Sequence, residues 1–421
     1  MEQMILQDIC KVYDCPHTTA KDEGIGIPLV RTPNIGKGRL LLTNAHRVNS
    51  DIYQERTRRA IPEEDDIIIA REAPVGNAAI IQMGQKVCLG QRVVLLKPIR
   101  DRVDPNYLVY YLLSDEIQHR LRIHANGAVV AHLNMADIRN LPVSLPSLSE
   151  QKKIGRVLKI IDDKIELNRR INDNLEQQAQ ALFKSWFVDF EPFKDGKFVE
   201  SEMGMIPEEW KVASLKELVF NTNSGDWGKE EPTGNYTVRV YCMRGADFPE
   251  VKEGNIGKMP IRYILQKNFD NKALKHGNMI VEISGGSPTQ STGRAVLIDK
   301  IFIDYCENAL VCTNFCRSLT IREKYALFFF LTWQCLYDKK VMFIYENGSN
   351  GLKNLNLNDL LEKETIVIPP LEIIERFNLL TAKLFELKYF NGSETARLNQ
   401  IRDTLLPRLM SGELKINDLN C

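Results

Sequence analysis

Slid along itself by about 222 residues, the 421-residue sequence brings a string of short matches into order. Asn134 falls on Asn356, Asp137 on Asp359, Pro146 on Pro369 and Leu148 on Leu371. Upstream, Asn126-Gly127 lies over Asn347-Gly348, the apolar run within 63–72 over that within 274–284, and Arg31-Thr-Pro-Asn34 over Arg244-Gly-Ala-Asp247. Each match is weak alone, and the shared order carries the reading. The chain must fold as two copies of one plan: a mixed strand and helix module of roughly 145 residues, a Pro-rich exit, and a long helical segment. Short strands bounded by Gly, Pro, Asn and Asp, with one helix starting near Pro105 and its counterpart near Glu323, give an α+β fold class.

The helical segments follow heptads. Ile154, Leu158, Ile161, Ile165, Asn168, Asn172, Leu175, Ala179, Leu182 and Trp186 alternate by four and three. Phe377, Leu380, Leu384, Leu387, Asn391, Glu394, Leu398, Ile401, Leu405 and Arg408 do the same in the complementary phase. Polar residues fall at the middle of each seam, which suits an antiparallel coiled coil whose helices meet there. Asn391-Gly392 weakens the second helix locally and reads as a break. At ~1.5 Å per residue the step from Ile154 to Trp186 spans about 48 Å, a strut fit to hold two modules related by a pseudo-twofold axis. Such a pair of readers suits duplex DNA, whose equivalent grooves recur every ~34 Å.

Composition narrows the class. Basic and acidic side chains number 55 each and 44% of residues are apolar, so the chain is neither disordered nor fibrous. Residues 1–147 hold 18 basic and 17 acidic side chains, so any phosphate-binding surplus must be made by folding. The N-terminal residues carry no basic and apolar leader pattern, and the longest apolar run, 326–331, is too short to cross a bilayer. Nine scattered cysteines, among them Cys88, Cys312 and Cys335, fit reduced thiols in a cytoplasm. Cys306, Cys312 and Cys316 are spaced wrongly for paired zinc knuckles, and no metal site is expected.

Residues 151–193, ending in Lys184-Ser-Trp-Phe-Val-Asp-Phe-Glu-Pro-Phe193, resemble the central helical region of the specificity subunits of type I restriction-modification systems. Residues 145–151, 204–215 and 404–415 are similar to that family's module exits, second-module opening and C-terminal helical region. The family pattern implies target-recognition domains at 1–148 and 207–370, spacer helices at 149–190 and 371–415, a linker at 191–206 and a tail at 416–421. It also implies a chain with no catalysis of its own that reads a bipartite, asymmetric site in double-stranded DNA. By the same resemblance the partners are two methyltransferase subunits, using S-adenosylmethionine on adenine N6, and motor-nuclease subunits using ATP and Mg. Residues 371–377 depart from the pattern, lacking the Glu-Gln that opens the first helix. The first alternative is a coiled-coil adaptor whose modules bind protein instead of DNA. A fused restriction and methylation enzyme is a second.

Motifs that could carry chemistry have plainer readings. Asp104-Pro-Asn-Tyr107 is one residue from a methyltransferase adenine-gripping motif, but Asp104 as N-cap and Pro105 at the first helical position open a helix. No Walker A or dinucleotide fingerprint occurs, and Ser284-Gly-Gly-Ser-Pro288, which lacks the Lys and the following helix, reads as a loop near DNA. Asp162-Asp-Lys164 reads as the solvated face of the helix, and the histidines, including His46, His119, His124 and His132, show no ligand spacing. DNA contact is expected from loop residues of suitable chemistry: Arg31, Asn34, Lys37, Arg39, Arg47, Arg71 and Asn77 in the first module. The second offers Arg239, Arg244, Lys258, Arg262 and Arg294, with Arg71 and Arg244 ranked first because they follow strand-like runs. The seam residues Ile154, Leu158, Ile161, Ile165, Leu175, Leu182, Trp186, Leu380, Leu384, Leu387, Leu398, Ile401 and Leu405 are the expected subunit interface, open to completion by partner helices.

Overall fold

The computed structural model describes residues 2–124, 132–255, 257–287, 289–349 and 352–416. The matched Asn126-Gly127, and all of the tail beyond Ile416, lie outside the described residues. Two compact units emerge: Met1–Lys164 with Leu398–Cys421, and Ile165–Arg397.

In the first unit the central sheet runs in the order Cys10–Asp14, Val93–Pro98, Ile67–Ala70, Ala78–Ile80, Gly38–Arg39. Ile67–Ala70 is buried along its whole length, as a β-branched run covered on both faces should be. A smaller sheet pairs Ile27–Val30 antiparallel with His46–Val48 and parallel with Cys88–Leu89. Glu2–Ile5 closes against Pro142–Leu145 at the module exit. The helix Pro105–Leu113 starts as its sequence dictates, with the Asp104 carboxylate accepting from Tyr107 N at 2.9 Å. Its Tyr107, Leu108 and Leu112 pack with Ile67, Val94 and Leu96, and with Leu158 and Leu409 of the long helices.

The second unit repeats this plan. Val219–Ser224, Cys316–Ile321, Asn278–Glu282 and Ala295–Leu297 form an antiparallel sheet. Tyr236–Met243 pairs antiparallel with Ile261–Leu265 and parallel with Leu310–Cys312, the same mixed arrangement as in the first unit. Lys211–Ser214 closes against Thr365–Ile368. The expected helix begins with a 3-10 turn, Glu323–Tyr325, and becomes α-helical over Ala326–Asp338. There Phe328 meets Phe187 at 4.9 Å between ring centroids, and Phe187 meets Phe377 at 4.8 Å, within the largest apolar core. The aligned tetrapeptides also match in structure: Arg31 and Arg244 each cap a 3-10 turn whose third residue, Asn34 or Asp247, accepts from the cap's own N–H. Asn134 and Asn356 likewise both stand at helix N-caps.

Two regions differ from their reading. The segment 191–206 is not a plain linker, since Phe198–Ser201 and Gly204–Pro207 form a hairpin. Ser284-Gly285 is not loop but strand, paired with Lys353 and Asn354.

Each long helix has 40 residues, Leu148–Phe187 and Leu371–Met410, and each passes from one unit into the other. In the second unit they run antiparallel through the expected polar centre. Asn168 Nδ2 donates to Glu394 Oε2 at 2.8 Å, Asn391 Nδ2 to Asn172 Oδ1 at 3.1 Å, and Lys388 pairs with Glu176 at 2.6 Å. The expected break at Asn391-Gly392 is absent, for the helix is continuous there. The second seam is turned by about one position from its heptad reading. Leu380, Leu387 and Ile401 are exposed, whereas Thr381, Lys388 and Leu409 are buried. Thr381 satisfies its hydroxyl on the Phe377 carbonyl at 2.8 Å and Lys388 its ammonium on Glu176, so partnered polar groups displace leucines from the interior. Asp162 is a further correction: it is buried, accepting from Tyr110 Oη at 2.7 Å and pairing with Arg402 at 3.0 Å.

Candidate nucleic-acid interface

Most of the polar residues expected to meet DNA in the first unit are engaged within the protein. Arg71 is 7% exposed and is held by the Leu133 carbonyl at 2.9 Å, by Asp14 at 2.9 Å and by His132 at 2.8 Å. It leads out of the strand into a structural hub, which reverses its ranking as a base reader. Buried Asn34 donates to the Leu41 carbonyl at 3.2 Å, and Asn77 to the Ile35 carbonyl at 3.0 Å. Arg39 pairs with Asp163, and Arg47 donates to the Gly26 carbonyl at 3.0 Å. Arg31 is half-buried in its capping role, and Lys37 is exposed.

In the second unit Arg244 makes a forked pair with Asp247, at 3.0 and 2.8 Å, and donates to the Lys258 carbonyl at 3.0 Å. The Asp247 hydrogen bonds hold the guanidinium above its ordinary range. Arg294 is likewise forked onto Glu282, both contacts at 2.8 Å. Arg262 is buried against the Trp227 ring, 3.8 Å from its centroid, with Glu230 at 2.8 Å. Arg239 and Lys258 are exposed.

Arg239 stands out because it is exposed beside aromatic rings on one side of its strand, with the exposed Glu307 carboxylate 3.8 Å away. It lies opposite Tyr263 in the ladder and stacks over Tyr241 at 5.1 Å, while Lys229 reaches to 5.7 Å from the Tyr236 ring. The alternation of the strand puts Val238, Val240 and Cys242 on the other side, in a small apolar core. Cations and aromatic rings on one open sheet face can meet phosphates and bases together. Sequence reasoning missed Lys229, Tyr236, Tyr241 and Tyr263. For Tyr241 the available signal was the alternation of Val238 to Cys242, read for its outer face as well as its inner one; Tyr236 was hidden from it by the register shift between Tyr236 and Val238.

The interface stripe divides by burial. Ile154, Leu158, Leu175 and Trp186 are buried within their own units, and Ile161, Ile165, Leu182, Leu384, Leu398 and Leu405 are half-buried. Leu380, Leu387 and Ile401 are exposed, at 53%, 45% and 39%, as are Leu379 and Phe390. Among the described residues these apolar side chains are open to another chain, as are Leu371 of the second helix and Ile160 and Leu167 of the first.

Among the described residues, no group of three or more His, Cys, Asp or Glu side chains could hold a metal ion. Burial pushes the Cys306 and Cys316 thiols up to about 12. Among the described residues no helix is long and apolar enough to cross a membrane.

A mixed α/β module present twice, each copy carried on the two long helices, is the architecture against which known proteins can be compared. The family model for the type I restriction modification DNA specificity domain matches residues 1–177 and 207–401, and the chain belongs to that family. It is 29% identical to the type I restriction enzyme MjaIX specificity subunit of Methanocaldococcus jannaschii over 88% of this chain and 82% of that protein. To the HindI specificity subunit of Haemophilus influenzae it is 27% identical, over 85% of this chain and 88% of that protein. The crystal structure of the type I restriction-modification S subunit from M. genitalium shares the fold, with a TM-score of 0.59 at 14% identity over 97% of this chain and 95% of that one.

Proposed function

We propose that this chain is the DNA-reading subunit of a type I restriction-modification complex, each recognition module reading one half of a bipartite, asymmetric site. The observation that carries the reading is the duplication: a four-strand antiparallel order, a small mixed sheet and a closing strand pair recur in both units, and the family match spans both. On this reading the chain supplies no catalytic group. Two methyltransferase subunits methylate adenine with S-adenosylmethionine, and motor-nuclease subunits act with ATP and Mg in the cytoplasm. The exposed leucines of the second helix, Leu380 and Leu387, support a methyltransferase docking there. The exposed Arg239 and Lys229 beside tyrosine rings support DNA as the ligand of the second module, and the adaptor reading has no comparable observation behind it.

The test is to co-express the chain with a methyltransferase subunit and map methylated adenines on a plasmid library. A split motif whose halves change separately when residues 1–148 or 207–370 are exchanged between relatives is the expected result. A stable complex that methylates nothing, and whose DNA affinity does not fall with salt, favours the protein-binding adaptor instead. Arg239→Ala should weaken binding across sequences and lower the slope of log affinity against log salt by about 0.9.

A further inference from the structure

Each long helix holds a single glycine, Gly155 in the first and Gly392 in the second. Helix propensity favours alanine at either position, so the reason for glycine has to be tertiary. At Gly155 a Cβ would stand 2.7 Å from Asp104 Oδ1 and 2.7 Å from Tyr107 N, the two atoms of the N-cap that starts the main helix of the first module. One turn earlier the buried Gln151 accepts from Asp104 N at 3.0 Å and anchors itself on the Pro146 carbonyl at 2.9 Å.

Gly392 is used in the same way within the second unit. A Cβ there would overlap the Glu253 carbonyl oxygen and stand 2.5 Å from Gly254 Cα. Gly254 is itself left-handed, at φ +80°, and a Cβ on it would stand 2.9 Å from Tyr389 Cα. The turn that carries Glu253 and Gly254 follows the short helix Phe248–Lys252, behind the Arg244 cap. Asn172 of the first long helix donates to the Glu253 carbonyl at 3.4 Å and to the Lys388 carbonyl at 3.1 Å, while Tyr389 Oη donates to the Leu297 carbonyl at 2.7 Å. In both units, then, module backbone rests on helix backbone at a lone glycine, beside an amide side chain that bonds the seated segment. Side chains can repack by changing rotamer, but a seat made of two backbones leaves little rotation about the helix.

We propose that Gly155 and Gly392 are positioning residues for DNA reading: each seats its own module on the long helices and so sets how that module presents its half of the site. The proposal rests on the bipartite DNA reading above.

Gly155→Ala and Gly392→Ala, made separately in the full chain, test it in two ways. Hydrogen exchange on the free chain reads the seats directly. Gly392→Ala should speed exchange over 250–255 at least about tenfold while Asn278–Glu282 and Cys316–Ile321 stay protected. Gly155→Ala should do the same over 104–108 while Ile67–Ala70 stays protected. The milder Gln151→Ala and Asn172→Ala should move exchange in the same direction with the glycines intact. In complexes with the methyltransferase, duplexes bearing the mapped site with native, lengthened and shortened spacers read the consequence. Preference for the native spacer should fall at least about fivefold in each glycine variant, with both half-sequences still required. Unchanged exchange at the seats overturns the proposal, and so does loss of protection across a whole unit, which would make the glycine a folding requirement. Loosened seats with an unaltered spacer preference overturn the role in reading. A wild-type complex with no site preference sinks the DNA reading, while the exchange results still decide whether the seats exist.

Discussion

Arg71 shows how a side chain suited to DNA can be claimed by the fold. Three hydrogen-bonding groups converge on its guanidinium, and two of them, the Leu133 carbonyl and the Asp14 carboxylate, lose a partner if it is removed. Arg71→Ala should cost about 3 kcal/mol in urea unfolding, through the orphaned acceptors as much as the lost bonds. Lys388 poses the matching case in the second unit. Burial pushes the Glu176 carboxyl up, but the Lys388 ammonium outweighs it and holds the carboxyl below its ordinary value of 4.5. A carboxyl depressed by folding contributes stability that is complete above its unfolded value and disappears as pH falls through the folded one. Stability of the wild-type chain should therefore drop as pH falls below about 4.5, and that acid limb should flatten in Lys388→Ala. At neutral pH the same variant should lose about 1–2 kcal/mol, since the half-buried Glu176 carboxylate loses its ammonium partner but keeps the Gln180 amide as a donor at 3.4 Å.

Heptad counting locates the long helices well but misjudges which residues face inward. The 4-3 rule assigns the interior to leucines because it weighs polarity residue by residue, without knowing which polar groups will find partners. Lys388, Thr381 and Asp162 all find them, and all are buried. Leu380→Gln and Leu387→Gln should therefore change the stability of the free chain by less than about 0.5 kcal/mol, where a true seam position would cost several times more. Ile154→Ala, at a buried seam position, should cost about 2–4 kcal/mol. Urea denaturation of the three variants side by side decides between the two phases. If the exposed leucines serve a methyltransferase, the first two variants should also weaken its co-purification while Tm holds.

Across the whole chain, the helices make a prediction about DNA. Four residues inserted within 165–175, about one helical turn, should change the spacing between half-sites on methylation mapping and leave both half-sequences as they were. An unaltered gap would sink the idea that the helices act as a ruler. The duplication, both mixed modules, the long helices and their polar meeting point could all be read from residue order. They rest on local physics: capping by Asp104 and Asn356, β-branched runs such as Ile67–Ile69, and a period that survives without contacts. The roles of individual arginines could not be read in that way. Arg71 and Arg239 are equally good DNA ligands by type, and burial separates them only after strands distant in sequence have come together. The two helix glycines make the same division visible in one residue type. As sequence, Gly392 signals a weak helix, because propensity is a property of a residue and its neighbours along the chain. In the fold it lies within an unbroken helix, because what decides it is the backbone at Glu253 and Gly254, about 140 residues away and pressed too close to admit a Cβ.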